Sequence, residues 1–193
     1  MKQELSCETG NAVMWISVFT GAISGSILKA VIPDAGMLRT AFFRQGLGLE
    51  IRSSEIGELL LHLCGIPLLW MLFAAVLGTS LAGKPLGFGL LFFRGMAVGA
   101  VLCELYLLQG AGAFLTAVLF VFPFAAAGTF LFMLAVREMN RFSAALIRCV
   151  QGGESPEVRL YLLRFLVLAG FLLLTGGLQC IWLKSGFAVM TGK

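Results

Sequence analysis

The sequence predicts an all-α, polytopic integral membrane protein with about five spanning helices and additional amphipathic interfacial helices. Three observations lead there. Hydrophobic residues make up 59% of the 193 residues, above the roughly 45–50% of a soluble globular domain. Charged residues make up 12%, about half the usual share of roughly 25%. Five apolar runs also reach the length of about 20 residues that a membrane-spanning helix needs. A water-soluble chain of this size has too little interior to hide so much apolar surface. The composition excludes a soluble enzyme, a disordered chain and a nucleic-acid-binding domain, and residues 1–193 read as a single integral membrane domain whose first partner is the lipid bilayer.

The first run is Ala12–Ile32, with Lys29 its only charge, near the end. It is longer than the roughly 7–15-residue core of a signal peptide, and Lys2, Glu4 and Glu8 precede it, so it reads as a retained anchor. The second run is Leu59–Leu81. The third, Leu86–Leu108, carries Arg94 and Glu104. The fourth, Ala111–Val136, has no charge, and the fifth, Phe165–Leu183, is closed by Lys184. Short connections near Lys84 and at Gln109-Gly110 make the second, third and fourth spans a tight antiparallel series. The other two connections are long, Pro33–Glu58 and Arg137–Arg164.

Five spans put the termini on opposite sides. One side then holds Lys2, Lys84, Arg137, Arg141, Arg148, Arg159 and Arg164; the other holds Lys29, Arg39, Arg44, Arg52, Lys184 and Lys193. The second set is mixed with Asp34, Glu50, Glu55 and Glu58, and the 137–164 stretch is the densest in basic residues. The positive-inside rule therefore places the N-terminus in the cytoplasm and the C-terminus outside. In Arg137–Val150, the residues Met139, Phe142, Leu146, Cys149 and Val150 recur at helical steps away from Arg137, Arg141 and Arg148, as in an interfacial helix on an anionic leaflet. Residues Met37–Leu49 of the outer loop show a similar face. There Arg39, Phe42, Phe43 and Arg44 combine apolar bulk with positive charge, which suits docking to a partner or to headgroups.

Candidate chemistry is sparse. Charges inside a span are costly to bury and are the strongest functional signal in such a chain. Arg94 and Glu104 are ten residues apart, ~15 Å along a helix and nearly a quarter turn out of line, so they do not pair with each other. Two readings of them stand: snorkelling to the headgroups and outer water, or facing a cavity or partner subunit. Ser17, Gly21 and Gly25 in the first span, and Gly95 and Gly99 in the third, step by four residues and mark close helix packing, which also leaves room for oligomerisation. Pro67 and Pro123 each remove a backbone hydrogen bond and are expected to kink their spans. His62 is the sole histidine, Ser80 and Ser143 have no base nearby in sequence, and Cys7, Cys64, Cys103, Cys149 and Cys180 form no framework. No catalytic residue, cofactor or metal ligand is assigned, and the chain is read as a non-enzyme.

The middle of the chain resembles the stage II sporulation protein M family. The residues that carry the likeness are Gly65-Ile66-Pro67, Phe92-Phe93-Arg94-Gly95-Met96-Ala97-Val98-Gly99, Gly110-Ala111-Gly112 and Phe122-Pro123, within roughly residues 59–145. The five-span layout and the long first outer loop agree with it. Phe124-Ala125-Ala126 after the proline depart from the polar residues the family often places there. The resemblance implies a membrane component of the engulfment machinery of endospore formation. It would anchor or localise the peptidoglycan-degrading stage II sporulation proteins D and P at the septal membrane without being a hydrolase itself.

Two functional readings follow. A scaffold for wall hydrolases would work through its outer segments, Ala35–Glu58 above all, and would tolerate Glu104→Gln. A small transport permease or permease subunit would line a path in the third and fourth spans with Arg94, Glu104 and the two prolines, and would not.

Overall fold

In the computed structural model the described residues are 2–32, 57, 60–112, 115, 117–152 and 156–191, and they form helices and turns without a strand. Five helices are long and apolar enough to cross a membrane. They are α1 (Lys2–Val31), α2 (Ile66–Gly78, led by a π-helical turn at Leu61–Gly65), α3 (Gly83–Gln109), α4 (Phe122–Val150) and α5 (Val158–Thr191). Their membrane-crossing parts are Gly10–Val31, Leu61–Gly78, Gly83–Leu108, Phe122–Val150 and Val158–Leu183.

α4 is the hub and packs against α2, α3 and α5, whereas α1 lies along α3. One apolar core joins Trp70, Met71 and Ala74 of α2, Leu90 and Leu91 of α3, Phe132, Val136 and Met139 of α4, and Tyr161 and Phe165 of α5. Met14 and Val18 of α1 reach the same core. A second cluster of Ala97, Ala100, Val101 and Leu105 on α3 closes on Val121 and Ala125. The perimeter stays apolar. Ile16, Phe19, Ile23 and Ile27 form an exposed row on α1, and Leu162, Leu166, Phe171, Leu174, Leu178 and Ile181 an exposed face on α5. Apolar surface this continuous belongs against lipid in a multi-pass membrane protein.

The fourth and fifth spans differ from the apolar runs that announce them. The expected fourth span, Ala111–Val136, is shifted: Gly110–Gly112 form a 3₁₀ turn, Ala117–Val121 a π-helical turn, and the α-helix starts at Phe122. Pro123 marks the change, because it lacks the N–H for an α-ladder and sits in the first turn of the α-helix directly after the π-helical turn. At the other end α4 does not stop at Arg137. Nothing from Arg137 to Val150 breaks a helix, and the turn comes at Gly152, whose φ of 91° suits a residue without a Cβ. The stretch Arg137–Val150 is therefore no separate interfacial helix. The first part of its apolar side faces the protein, with Met139 and Phe142 buried in the core and Leu146 packed against it, while Val150 is exposed. α5 likewise begins at Val158, just after Pro156, and takes in Arg159 and Arg164. At 1.5 Å per residue α4 and α5 are ~43 and ~51 Å long. Both exceed a hydrocarbon layer of about 30 Å.

Candidate functional site

α1 and α3 run parallel and come close enough for their backbones to touch. A Cβ on Gly21 would lie 2.1 Å from the Phe92 carbonyl oxygen, and one on Gly25 would lie 2.1 Å from that of Met96. From the other side, a Cβ on Gly95 would lie 2.0 Å from the Val18 oxygen, and one on Gly99 2.0 Å from the Ala22 oxygen. Only glycine lets the two backbones touch here, in the geometry where Cα–H groups meet carbonyl oxygens. The Ser26 hydroxyl adds a hydrogen bond to the Gly99 carbonyl at 3.0 Å.

Beyond Gly25 and Gly99 the seam ends in charge. Lys29 Nζ lies 3.2 Å from Glu104 Oε1, with the lysine side chain 5% and the glutamate side chain 20% exposed. Glu104 is thus held by a neighbouring helix, which neither of its two sequence readings anticipates. Glu104→Gln would remove the carboxylate from an ion pair in a largely buried place, so it is not a silent change even in a scaffold.

Arg94 is 3% exposed, so it does not snorkel to a headgroup layer. It lies 11 residues into the 27 of α3, and its guanidinium carbon stands 5.4 Å from the centre of the Phe132 ring on α4. Gly128, one turn before Phe132, makes room: a Cβ there would come 2.8 Å from an Arg94 terminal nitrogen. The ring's negative face is a suitable neighbour for a desolvated cation. Arg94 therefore occupies the interface of the third and fourth spans.

Pro67 and Pro123 have matching settings. Each is the second residue of an α-helix, and each follows a five-residue π-helical turn, Leu61–Gly65 before Ile66-Pro67 and Ala117–Val121 before Phe122-Pro123. The wider π turn takes the proline ring past a carbonyl it would strike in a straight α-helix.

At the opposite end of the bundle, the end of α2 and the turn that follows it are tied down from two sides. Ser143 of α4, fully buried, donates to the Ser80 carbonyl at 3.0 Å. Tyr161 of α5 donates to the Ala75 carbonyl at 2.8 Å and stacks on Phe142 with ring centres 4.1 Å apart. Next to this knot Glu138 accepts from Arg141 at 2.8 Å and from Arg164 of α5. The loop residues Arg39, Phe42, Phe43 and Arg44 lie outside the described residues. Among the described residues no three His, Cys, Asp or Glu side chains come together.

Several of these partners were not singled out by sequence. Lys29, Gly128, Phe132, Glu138 and Tyr161 each acquire their role from a residue on another helix. A lone charge near the end of each parallel span, Lys29 and Glu104, was the one available signal for the ion pair. Comparison with protein-family models, curated proteins and solved structures found no match.

Proposed function

We propose that the chain is a non-enzymatic multi-pass membrane scaffold, with its N-terminus in the cytoplasm, that holds peptidoglycan-degrading enzymes at the membrane. The observation that carries the scaffold reading is the use made of charge within the spans. Arg94 packs between α3 and α4, and Glu104 joins α3 to Lys29 of α1. Together with the glycine seam, these contacts support a body built to hold its helices in fixed relation. The nature of the cargo, wall hydrolases at the septal membrane during engulfment, rests on the sequence resemblance around Arg94-Gly95 and Phe122-Pro123.

One observation favours the permease alternative. Arg94 is a buried cation between the two spans that would line a path. The two readings separate at the outer loop. Charge reversal at Arg39 and Arg44 should abolish co-purification of a membrane-anchored wall hydrolase while the protein still inserts. Undiminished co-purification from those membranes would refute the scaffold reading.

A further inference from the structure

The arginine-bearing ends of α4 and α5 flank an open cleft of about 350 Å³. Its rim holds Arg137, Glu138 and Arg141 of α4 and Arg164 of α5. Its wall is apolar, built from Leu134, Leu163, Val167 and Leu168. We infer that this cleft binds an anionic glycerophospholipid, with the phosphate on the guanidiniums and an acyl chain along the Leu163–Val167 face.

Charge is the first reason. Three guanidiniums line the rim against one carboxylate. Glu138 does not cancel them but places two: its Oε1 takes Arg141 Nη1 at 2.8 Å, and its Oε2 takes Arg164 Nη1. Each guanidinium carries five N–H donors in a planar fork, so one bond to Glu138 orients the group and leaves donors for a phosphate. The Arg141 and Arg164 side chains are 55% and 45% exposed, so those donors are reachable.

Position is the second reason. α4 and α5 are both longer than a hydrocarbon layer is thick, and the cleft lies between their arginine-bearing ends. Leu163 and Val167 are exposed and one turn apart on α5, continuing the rim toward the apolar face of the bundle. A soluble phosphate would use the rim and ignore the wall. A phospholipid uses both, and basic pockets between spanning helices are a recurrent setting for anionic headgroups. The inference needs only that the chain spans a membrane and does not depend on what it scaffolds.

The test is native mass spectrometry of the detergent-purified full chain, titrated with phosphatidylglycerol, phosphatidylcholine or inorganic phosphate. Phosphatidylglycerol should bind more tightly than phosphatidylcholine, and inorganic phosphate should bind weakly. Arg141→Gln with Arg164→Gln should weaken phosphatidylglycerol binding roughly 25-fold, about fivefold for each guanidinium near the surface. Arg141→Lys with Arg164→Lys, which keeps the charge, should retain most of it and guards against misfolding of the glutamine variant. Arg148→Gln, off the cleft, should change nothing. Equal binding of the two lipids, or a glutamine variant that binds as well as the parent, would overturn the site. Phosphate binding as tight as that of the lipid would overturn the lipid as its occupant.

Discussion

Lys29 of α1 and Glu104 of α3 meet at 3.2 Å where the glycine seam between the two helices ends. The seam brings the backbones together and the ion pair sits at its end, so the register of α1 on α3 is specified twice, by shape and by charge. A shift of α1 by one turn would bring Ser17 or Lys29 against a carbonyl that a glycine now meets and would part the charges at once.

The pair is expected to behave as a unit. Glu104→Gln alone should destabilise the detergent-solubilised protein by up to about 3–5 kcal/mol, because it breaks a largely buried ion pair. Replacing both residues by methionine should recover most of that loss. Thermal unfolding of the two single variants and the double variant closes the cycle, and additive losses would mean that the residues do not interact.

Glycine substitutions should rank by what the new Cβ meets. Alanine at Gly25 or Gly99 meets backbone 2.1 or 2.0 Å away, which cannot give without separating the helices. Each should cost at least the about 1–3 kcal/mol typical of overpacking. Gly128→Ala meets the flexible end of Arg94 and should cost less. Gly89 has nothing within 4 Å of its Cβ position, so Gly89→Ala should be neutral or stabilising by up to about 1 kcal/mol. Unfolding midpoints of the four variants check the order.

Much of this was legible in the apolar runs, and the failures have physical causes. The first three spans follow from hydropathy to within a few residues, since lipid demands little more than length and apolarity. The fourth does not, because hydropathy is blind to hydrogen bonding. The run 111–136 is uniformly apolar, yet the α-helix begins only after a π-helical turn that leads into Phe122-Pro123, while the charged stretch from Arg137 continues the helix without a break. Gly95 and Gly99 announce a close contact by their spacing, but spacing does not name Val18 and Ala22 as the residues met. Arg94 and Glu104 stand out as costly charges. Their neighbours Phe132, Gly128 and Lys29 are fixed only by how α1 and α4 are laid against α3.

The polar knot at the α2–α3 turn gives a milder prediction. Tyr161→Phe keeps the stack on Phe142 and removes the hydrogen bond to the Ala75 carbonyl. It should cost about 0.5–1.5 kcal/mol. Ser143→Ala should cost a similar amount through the Ser80 carbonyl. Calorimetric unfolding in detergent reads both, and a loss near zero for either would mean that water serves its carbonyl equally well.

Orientation can be read by single-cysteine labelling in whole cells on a cysteine-free background. With the N-terminus in the cytoplasm, an impermeant thiol reagent should label Arg52→Cys and spare Arg148→Cys. The reverse pattern would invert the topology.

The central claim is that the charges inside the spans serve helix packing, which apolar side chains can replace, and do not line a path. Its most direct measurement is genetic complementation by the Lys29→Met/Glu104→Met double variant, with membrane insertion and hydrolase co-purification followed in the same cells. The scaffold account predicts a protein that inserts, retains its partner and restores function although the seam has lost its charges. An inserted, stably folded double variant that retains its partner yet restores no function would contradict it and would assign the pair to a path.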